Sequence, residues 1–188
     1  MTDTTRTQIL TAALGVIAEG GTVSLESAAR AVGLSKPGLM YHFPTKQALM
    51  LGLVDHVVEA WHREITSRLP AAAPSLSGAR ARFSPGPRAR LSAYLDWCLT
   101  GEFSSADLVM LTDPRLREPL TERWAERMAP WFALPEHTPI ETRARLSAVR
   151  ALADGLWFAE AAGLFPLPAA ERGPVRELAD ALLSGVPE

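Results

Sequence analysis

The sequence predicts an all-α fold, on three observations. Apolar residues recur at three-to-four spacing along most of the chain, glycines and prolines cut that pattern into helix-sized lengths, and no stretch alternates as a half-buried strand would. With 47% hydrophobic and 21% charged residues, the 188-residue chain has ample material for a core and too little charge for disorder.

The elements follow in order. Ile9, Ala13, Val16 and Ile17 repeat on one helical face, and Gly20-Gly21 stops that first helix. Ser24 caps a second helix, with Glu26 in its first turn favouring the positive helix end, and Gly33 ends it after Val32. Ser35 caps a short third helix that tolerates Pro37 in its first turn. Pro44-Thr45 breaks the chain again, and Thr45 caps a long fourth helix running to about Arg68. Residues 70–88 hold Pro70, Pro74, Pro85, Pro87, Gly78 and Gly86 and read as a loop. Its arginines, Arg80, Arg82, Arg88 and Arg90, either touch DNA or belong to a solvated loop, the latter being the simpler reading. Further helices are expected at about 88–101, 104–112, 115–132, 139–164 and 170–184, punctuated by Pro114, Pro130, Pro135, Pro139, Pro166 and Pro168.

Residues 25–44 fit a helix-turn-helix on physical grounds. Two steeply crossing helices need a small residue where their backbones approach and a glycine where the turn takes a positive φ. Ala29 followed four residues later by Gly33 supplies that offset, while Leu25, Ala28, Val32, Leu34 and Leu39 supply a small core. Lys36, Gly38, Tyr41 and His42 are then left on or near the outward face of the third helix, suited to a major groove. An ordinary αα-hairpin is the plainer alternative.

Bulk charge is a weak guide. The chain carries a formal −2; residues 1–47 hold four basic side chains (Arg6, Arg30, Lys36, Lys46) against three acids (Asp3, Glu19, Glu26), net +1, leaving −3 for the rest. The single cysteine, Cys98, allows no intrachain disulfide, which fits a reducing compartment. Residues 1–6 are polar, and residues 151–170, the most apolar late stretch, are interrupted by Asp154, Glu160 and two prolines. A cytoplasmic protein without a membrane span is expected.

The segment from Gly33 to Leu49, reading GLSKPGLMYHFPTKQAL, resembles the signature of the TetR family of one-component transcriptional regulators. That signature runs glycine, small apolar residue, Ser, a variable stretch, Leu-Tyr-x-His-Phe, then a Lys opening the next helix. Arg6, Ile9, Ala12, Ala13, Gly20-Gly21 and Ser24-Leu25 also fall where the family places similar residues, so the likeness spans residues 5–55 and weakens beyond. Two positions depart: Met40 stands where the family has its usual Tyr, with Tyr41 one place on, and Gly38 stands where Thr is common. The resemblance implies a helix-turn-helix DNA-binding domain over residues 1–46 and a helical ligand-binding and dimerisation bundle over 47–188. It implies DNA contacts at Ser24, Lys36, Gly38, Tyr41, His42 and Lys46, with Ser24 and Lys46 as phosphate anchors and Lys36 and Tyr41 reading sequence. For His42, burial beside Phe43 at the helix end is the open alternative.

In residues 139–164, Ala144, Ala148, Ala151, Gly155, Ala159 and Ala162 form a small-residue stripe, with Leu146, Val149, Ala153, Leu156, Trp157 and Leu164 to one side. Such a stripe permits close helix approach, either between subunits or within one. The stretch from Ala153 to Leu164 resembles the penultimate helix of many TetR-family proteins, and the next helix would add Val175, Leu178, Leu182 and Leu183 to a dimer interface. A two-fold dimer implies a near-palindromic operator with half-sites about 34 Å apart.

The middle of the chain is rich in large apolar residues, including Tyr94, Trp131 and Phe132. In the family, helices four to eight enclose a ligand cavity. The resemblance therefore implies an apolar or aromatic ligand among Trp61, Trp97, Phe103, Met110, Trp124, Met128 and Trp157, with Asp96, Glu102 or His56 as polar contacts. His56, Glu59 and His62 share one helix, but at ~100° per residue the outer pair lies about 120° apart, too far to converge on one ion without strain, and a solvated face is the simpler reading. Cys98 sits among Leu95, Trp97 and Leu99, as inert packing or as an oxidant sensor.

The mechanism expected is a population shift, in which a ligand favours a conformer whose recognition helices no longer fit the operator. A ligand-independent dimeric regulator and an all-α enzyme are the alternatives. No Gly-x-Ser-x-Gly, His-Glu-x-x-His or phosphate-binding glycine loop is present, so no catalytic residue, metal or cofactor is expected.

Overall fold

The computed structural model describes residues 2–70 and 85–186, with side chains from residue 5 onward. Among them are eight α-helices and no strand: α1 (Thr2–Ala18), α2 (Leu25–Ala31), α3 (Lys36–His42), α4 (Lys46–Ser67), α5 (Pro87–Thr100), α6 (Arg117–Phe132), α7 (Ile140–Ala162) and α8 (Ala169–Leu183). A 3-10 segment, Ser105–Leu111, stands where a helix was expected over 104–112. The Ser104–Asp107 capping box opens it, but Leu108 leaves the helical region (φ −96°, ψ 21°), so the turn never settles into an α-helix. Pro130 lies inside α6 instead of ending it.

The described residues fall into two compact units. The first comprises those of Met1–Trp61, Glu102–Met128 and Phe158–Phe165; the second, those of His62–Gly101, Ala129–Trp157 and Pro166–Glu188. The border expected after residue 46 falls inside the first unit, at the start of α4.

In the first unit, local signals place each short helix. Ser24 Oγ accepts the Ser27 N–H at 3.0 Å and Ser27 Oγ accepts the Ser24 N–H at 2.8 Å, satisfying two orphan donors at the head of α2. Gly33, at φ +69°, turns the chain so that the Leu34 N–H returns to the Ala29 carbonyl at 2.9 Å. Ser35 caps α3 and Thr45 caps α4, each through its hydroxyl. Ile9, Ala13, Ala28, Leu39, Phe43, Leu49 and Leu53 are fully or almost fully buried, and large side chains of this kind each stabilise the unit by about 1.5–3 kcal/mol. Gly52 permits α4 to lie against Phe43: a Cβ there would meet Phe43 Cε1 at 2.8 Å.

The second unit packs Leu91, Tyr94, Leu95 and Trp97 of α5, Leu146, Val149, Ala153 and Trp157 of α7, and Ala179 and Leu183 of α8 into its core. Two buried aromatic residues there have polar partners: the Tyr94 hydroxyl donates to Asp154 at 2.8 Å, and the Trp97 indole N–H donates to Glu64 at 3.0 Å. Arg176 of α8 binds Asp96 and Ser92 of α5, joining those two helices. Among the loop arginines, Arg90 turns inward onto the carbonyls of Pro85, Trp131 and Ala133, so it is not a DNA-facing group. Pro74, Gly78, Arg80 and Arg82 lie outside the described residues. No helix among the described residues is long and apolar enough to cross a membrane.

Candidate nucleic-acid interface

The outward side of α3 presents Lys36, Pro37, Met40 and Tyr41 to solvent, while Leu39 is buried beneath them. Tyr41 is 79% exposed, an aromatic ring with almost no packing. It meets His42 edge to face at 5.2 Å, and His42 is half-buried, so the expectation of a buried histidine beside Phe43 does not hold. Gly38 lies over Ser35, its N–H donating to the Ser35 hydroxyl at 3.2 Å. Lys36 is ion-paired with Glu26 of α2, and that hydrogen bond holds the Glu26 carboxyl below its ordinary pKa. Because both partners are about half exposed, the pair is weak and exchangeable.

Two groups fix the ends of this surface. Arg6 of α1 donates to the His42 carbonyl at 2.9 Å while its guanidinium lies 4.1 Å from the Phe43 ring centroid. It thereby caps the C-terminal end of α3, a role its place in the sequence did not reveal. Lys46, the expected phosphate anchor, has its ammonium 2.6 Å from Asp113, just beyond the 3-10 segment. The Lys46 hydrogen bond, and then the Arg115 N–H, hold the Asp113 carboxyl below its ordinary pKa. The same segment touches α1, where Ser105 Oγ donates to the Ile17 carbonyl at 3.2 Å. Ser24 is half-buried and uses its hydroxyl to cap α2.

The expected dimer residues divide. Ala148, Ala151 and Gly155 of α7 are exposed, with Ala144 and Phe158 at matching helical spacing, and Leu178 and Leu182 of α8 are exposed as well. The Arg145 guanidinium, 3.5 Å from the Leu182 carbonyl, links α7 to α8. Ala159 and Ala162 are half-buried in the first unit. Leu164, expected on the packed side, is exposed next to Phe165, which is 96% exposed at φ +51°.

Five of the seven expected ligand residues are buried. Trp61 is buried and donates to Asp107 at 3.0 Å; Met110 and Met128 are buried; Phe103 and Trp124 are half-buried in the same unit. Trp97 and Trp157 are buried in the second. None of the seven lines the partly open cavity of about 130 Å³ in the second unit. Its walls are Pro87, Leu91, Trp131, Phe132, Leu134 and Leu146, with Ser147 and Arg150 as polar groups. Asp96 is committed to Arg176, Glu59 to Arg127 at 2.9 Å, and His56 lies 3.5 Å from the Thr11 hydroxyl. Among the described residues, no group of three or more His, Cys, Asp or Glu side chains is placed to hold a metal ion. Cys98 is buried, and burial pushes its thiol pKa well up.

Residues 9–53 match the family model described as bacterial regulatory proteins, tetR family, and residues 88–184 match the tetracyclin repressor-like C-terminal domain. Among solved structures, the multidrug binding protein EbrR complexed with malachite green is similar at 23% identity, covering 97% of this chain and 98% of its own, with a TM-score of 0.61. EbrR complexed with imidazole is similar at 19% identity, 97% and 95% coverage and a TM-score of 0.57. No curated protein matches the chain.

Proposed function

The chain belongs to the TetR family of DNA-binding transcriptional regulators, and from that premise we propose that it is a cytoplasmic, non-enzymatic repressor. It binds a near-palindromic operator as a homodimer and is released by a small apolar or aromatic effector. The observation that carries the DNA-reading part is the face of α3: Lys36, Met40 and Tyr41 project from a short, capped helix, with Tyr41 79% exposed and in ring contact with its neighbour His42. A large aromatic held mostly in water suits a groove-facing role. Lys36 and Tyr41 then meet base edges, and Ser24 and Lys46 meet phosphates at the heads of α2 and α4.

The exposed apolar and small side chains of α7 and α8 support a two-fold, isologous dimer, which sets the two α3 helices on successive major grooves. The tie between Lys46 and Asp113 supplies a means of control, since a phosphate and a carboxylate compete for one ammonium. An effector that favours a conformer with the tie closed lowers operator affinity, provided it binds that conformer more tightly. EbrR is described as a multidrug binding protein and was captured with malachite green; by that likeness the effector here is a small aromatic molecule.

The test is binding of the purified protein to DNA flanking its own coding region, beside a Lys36→Ala, Tyr41→Ala double variant. Tight, salt-sensitive binding that the double variant loses supports the reading. Equal binding to random DNA by both proteins contradicts it.

A further inference from the structure

We propose that the cavity between α5, the end of α6 and α7 is a site for a small aromatic carboxylate, with a single ring against Leu91, Trp131 and Leu146 and its carboxylate on Arg150. The inference rests on the effector-responsive reading above and specifies its ligand.

Size limits the ligand first. A cavity of about 130 Å³ is close to the ~150 Å³ apolar cavity that accepts benzene, so one ring fits and a multi-ring dye does not. The lining sets the ring's chemistry: leucines and a proline, with the aromatic rings of Trp131 and Phe132.

Charge decides the rest. Among the described residues Arg150 is the one charged residue that lines the cavity. Its guanidinium is held 4.0 Å over the Phe132 ring, and its Nε lies 3.4 Å from Asp154 Oδ2. The other Asp154 oxygen accepts the hydroxyl of the buried Tyr94, which anchors the half-buried aspartate, and it does not line the cavity. Among the described residues Arg150 donates no conventional hydrogen bond. The ring and the aspartate thus fix the guanidinium, while its terminal nitrogens remain available for two parallel bonds to a carboxylate, the pairing for which arginine is shaped. Ser147, one helical turn away, adds a hydroxyl to the same rim. Among the described residues Arg150 is the charge that lines the cavity, which disfavours a cationic ligand there, although Asp154 3.4 Å away offsets part of that charge.

The experiment is a calorimetric titration of the full-length protein with benzoate, salicylate and phenylacetate, beside benzamide as the neutral isostere and benzylammonium as the cation. Intrinsic tryptophan fluorescence, with Trp131→Phe as the control that isolates Trp131 among the five tryptophans, gives a second readout. The expected result is that at least one carboxylate binds ten or more times more tightly than benzamide, that benzylammonium does not bind, and that Arg150→Met abolishes the difference while Arg150→Lys recovers part of it. Leu146→Trp, which fills the cavity and leaves Arg150 in place, abolishes binding as well. Binding by none of the three carboxylates, equal binding of benzamide, or unchanged carboxylate binding in Arg150→Met overturns the proposal. Operator release is measured separately. Carboxylate binding without release supports the site and contradicts the effector-release reading; operator binding by a protein that binds no carboxylate leaves that reading standing without this ligand.

Discussion

Lys46 Nζ lies 2.6 Å from Asp113 Oδ2, so the lysine that opens α4 is neutralised by a carboxylate that follows the 3-10 segment. The group proposed to meet a phosphate is therefore occupied internally in this structure. Replacing Asp113 by Asn frees it, and operator affinity is expected to rise roughly two- to fivefold, the range of an exposed ion pair. Replacing Lys46 by Met is expected to weaken binding to all sequences alike and to reduce the slope of log K against log salt by about 0.9. Fluorescence anisotropy across a salt series reads both. Weaker binding by Asp113→Asn would mean that the carboxylate positions Lys46 instead of competing for it.

The same pair predicts a pH dependence. Asp113 is held below its ordinary pKa in the fold, chiefly by Lys46, so its contribution to stability is complete above the unfolded value of about 4 and is lost as pH falls through the folded value. The melting-temperature difference between the protein and Asp113→Asn should be constant above about pH 5 and shrink below pH 4. A difference that grows on acidification contradicts the pairing.

Gly52 and Gly15 make opposite predictions from the same substitution. A Cβ at Gly52 meets the fully buried Phe43 ring at 2.8 Å, whereas one at Gly15 meets nothing within 4 Å. Gly15→Ala is expected to stabilise by up to about 1 kcal/mol through helix propensity. Gly52→Ala is expected to destabilise by about 1–3 kcal/mol despite the same propensity gain, because the ring has no room to move. Urea midpoints decide between these outcomes and a uniform effect.

The exposed face of α7 predicts the oligomeric state. Ala151→Arg sets a long cation among Ala148, Gly155 and Phe158, and should yield a folded monomer by sedimentation. Loss of paired half-site contacts should then lower operator affinity on the order of a hundredfold or more. A dimeric Ala151→Arg protein would move the interface elsewhere.

Cys98 is predicted to be silent. Burial raises its thiol pKa well above 9.0, so it should resist iodoacetamide in the native protein even at pH 8.5 and react only on unfolding. Its contribution to stability is full below about pH 9 and is lost as pH rises beyond, since the unfolded thiol ionises first. Native alkylation at the rate of a free thiol would contradict this.

Much of the fold was legible because its signals are local. Ser24, Ser35 and Thr45 mark helix starts by their own hydroxyls, Gly33 marks the turn by its positive φ, and the Ile9–Ile17 spacing marks the buried face of α1. Legibility fails where the deciding partner lies far along the chain. Nothing near Asp113 announces Lys46, and nothing near Arg6 announces the end of α3. The cavity draws on α5, α6 and α7, and the expected wall residues Trp61 and Trp97 find polar partners in Asp107 and Glu64 and stay in the core. Gly52 did leave a signal: a glycine inside an otherwise strong helix costs about 1 kcal/mol and implies a close neighbour.

The most direct test of the central claim is selection of binding sites by the full-length protein from a pool of random duplexes. The account predicts enrichment of one two-fold symmetric motif, with half-site centres about 34 Å apart or slightly more, and no enrichment of it by the Lys36→Ala, Tyr41→Ala variant. An asymmetric motif, no motif at all, or the same motif enriched equally by the variant would contradict it.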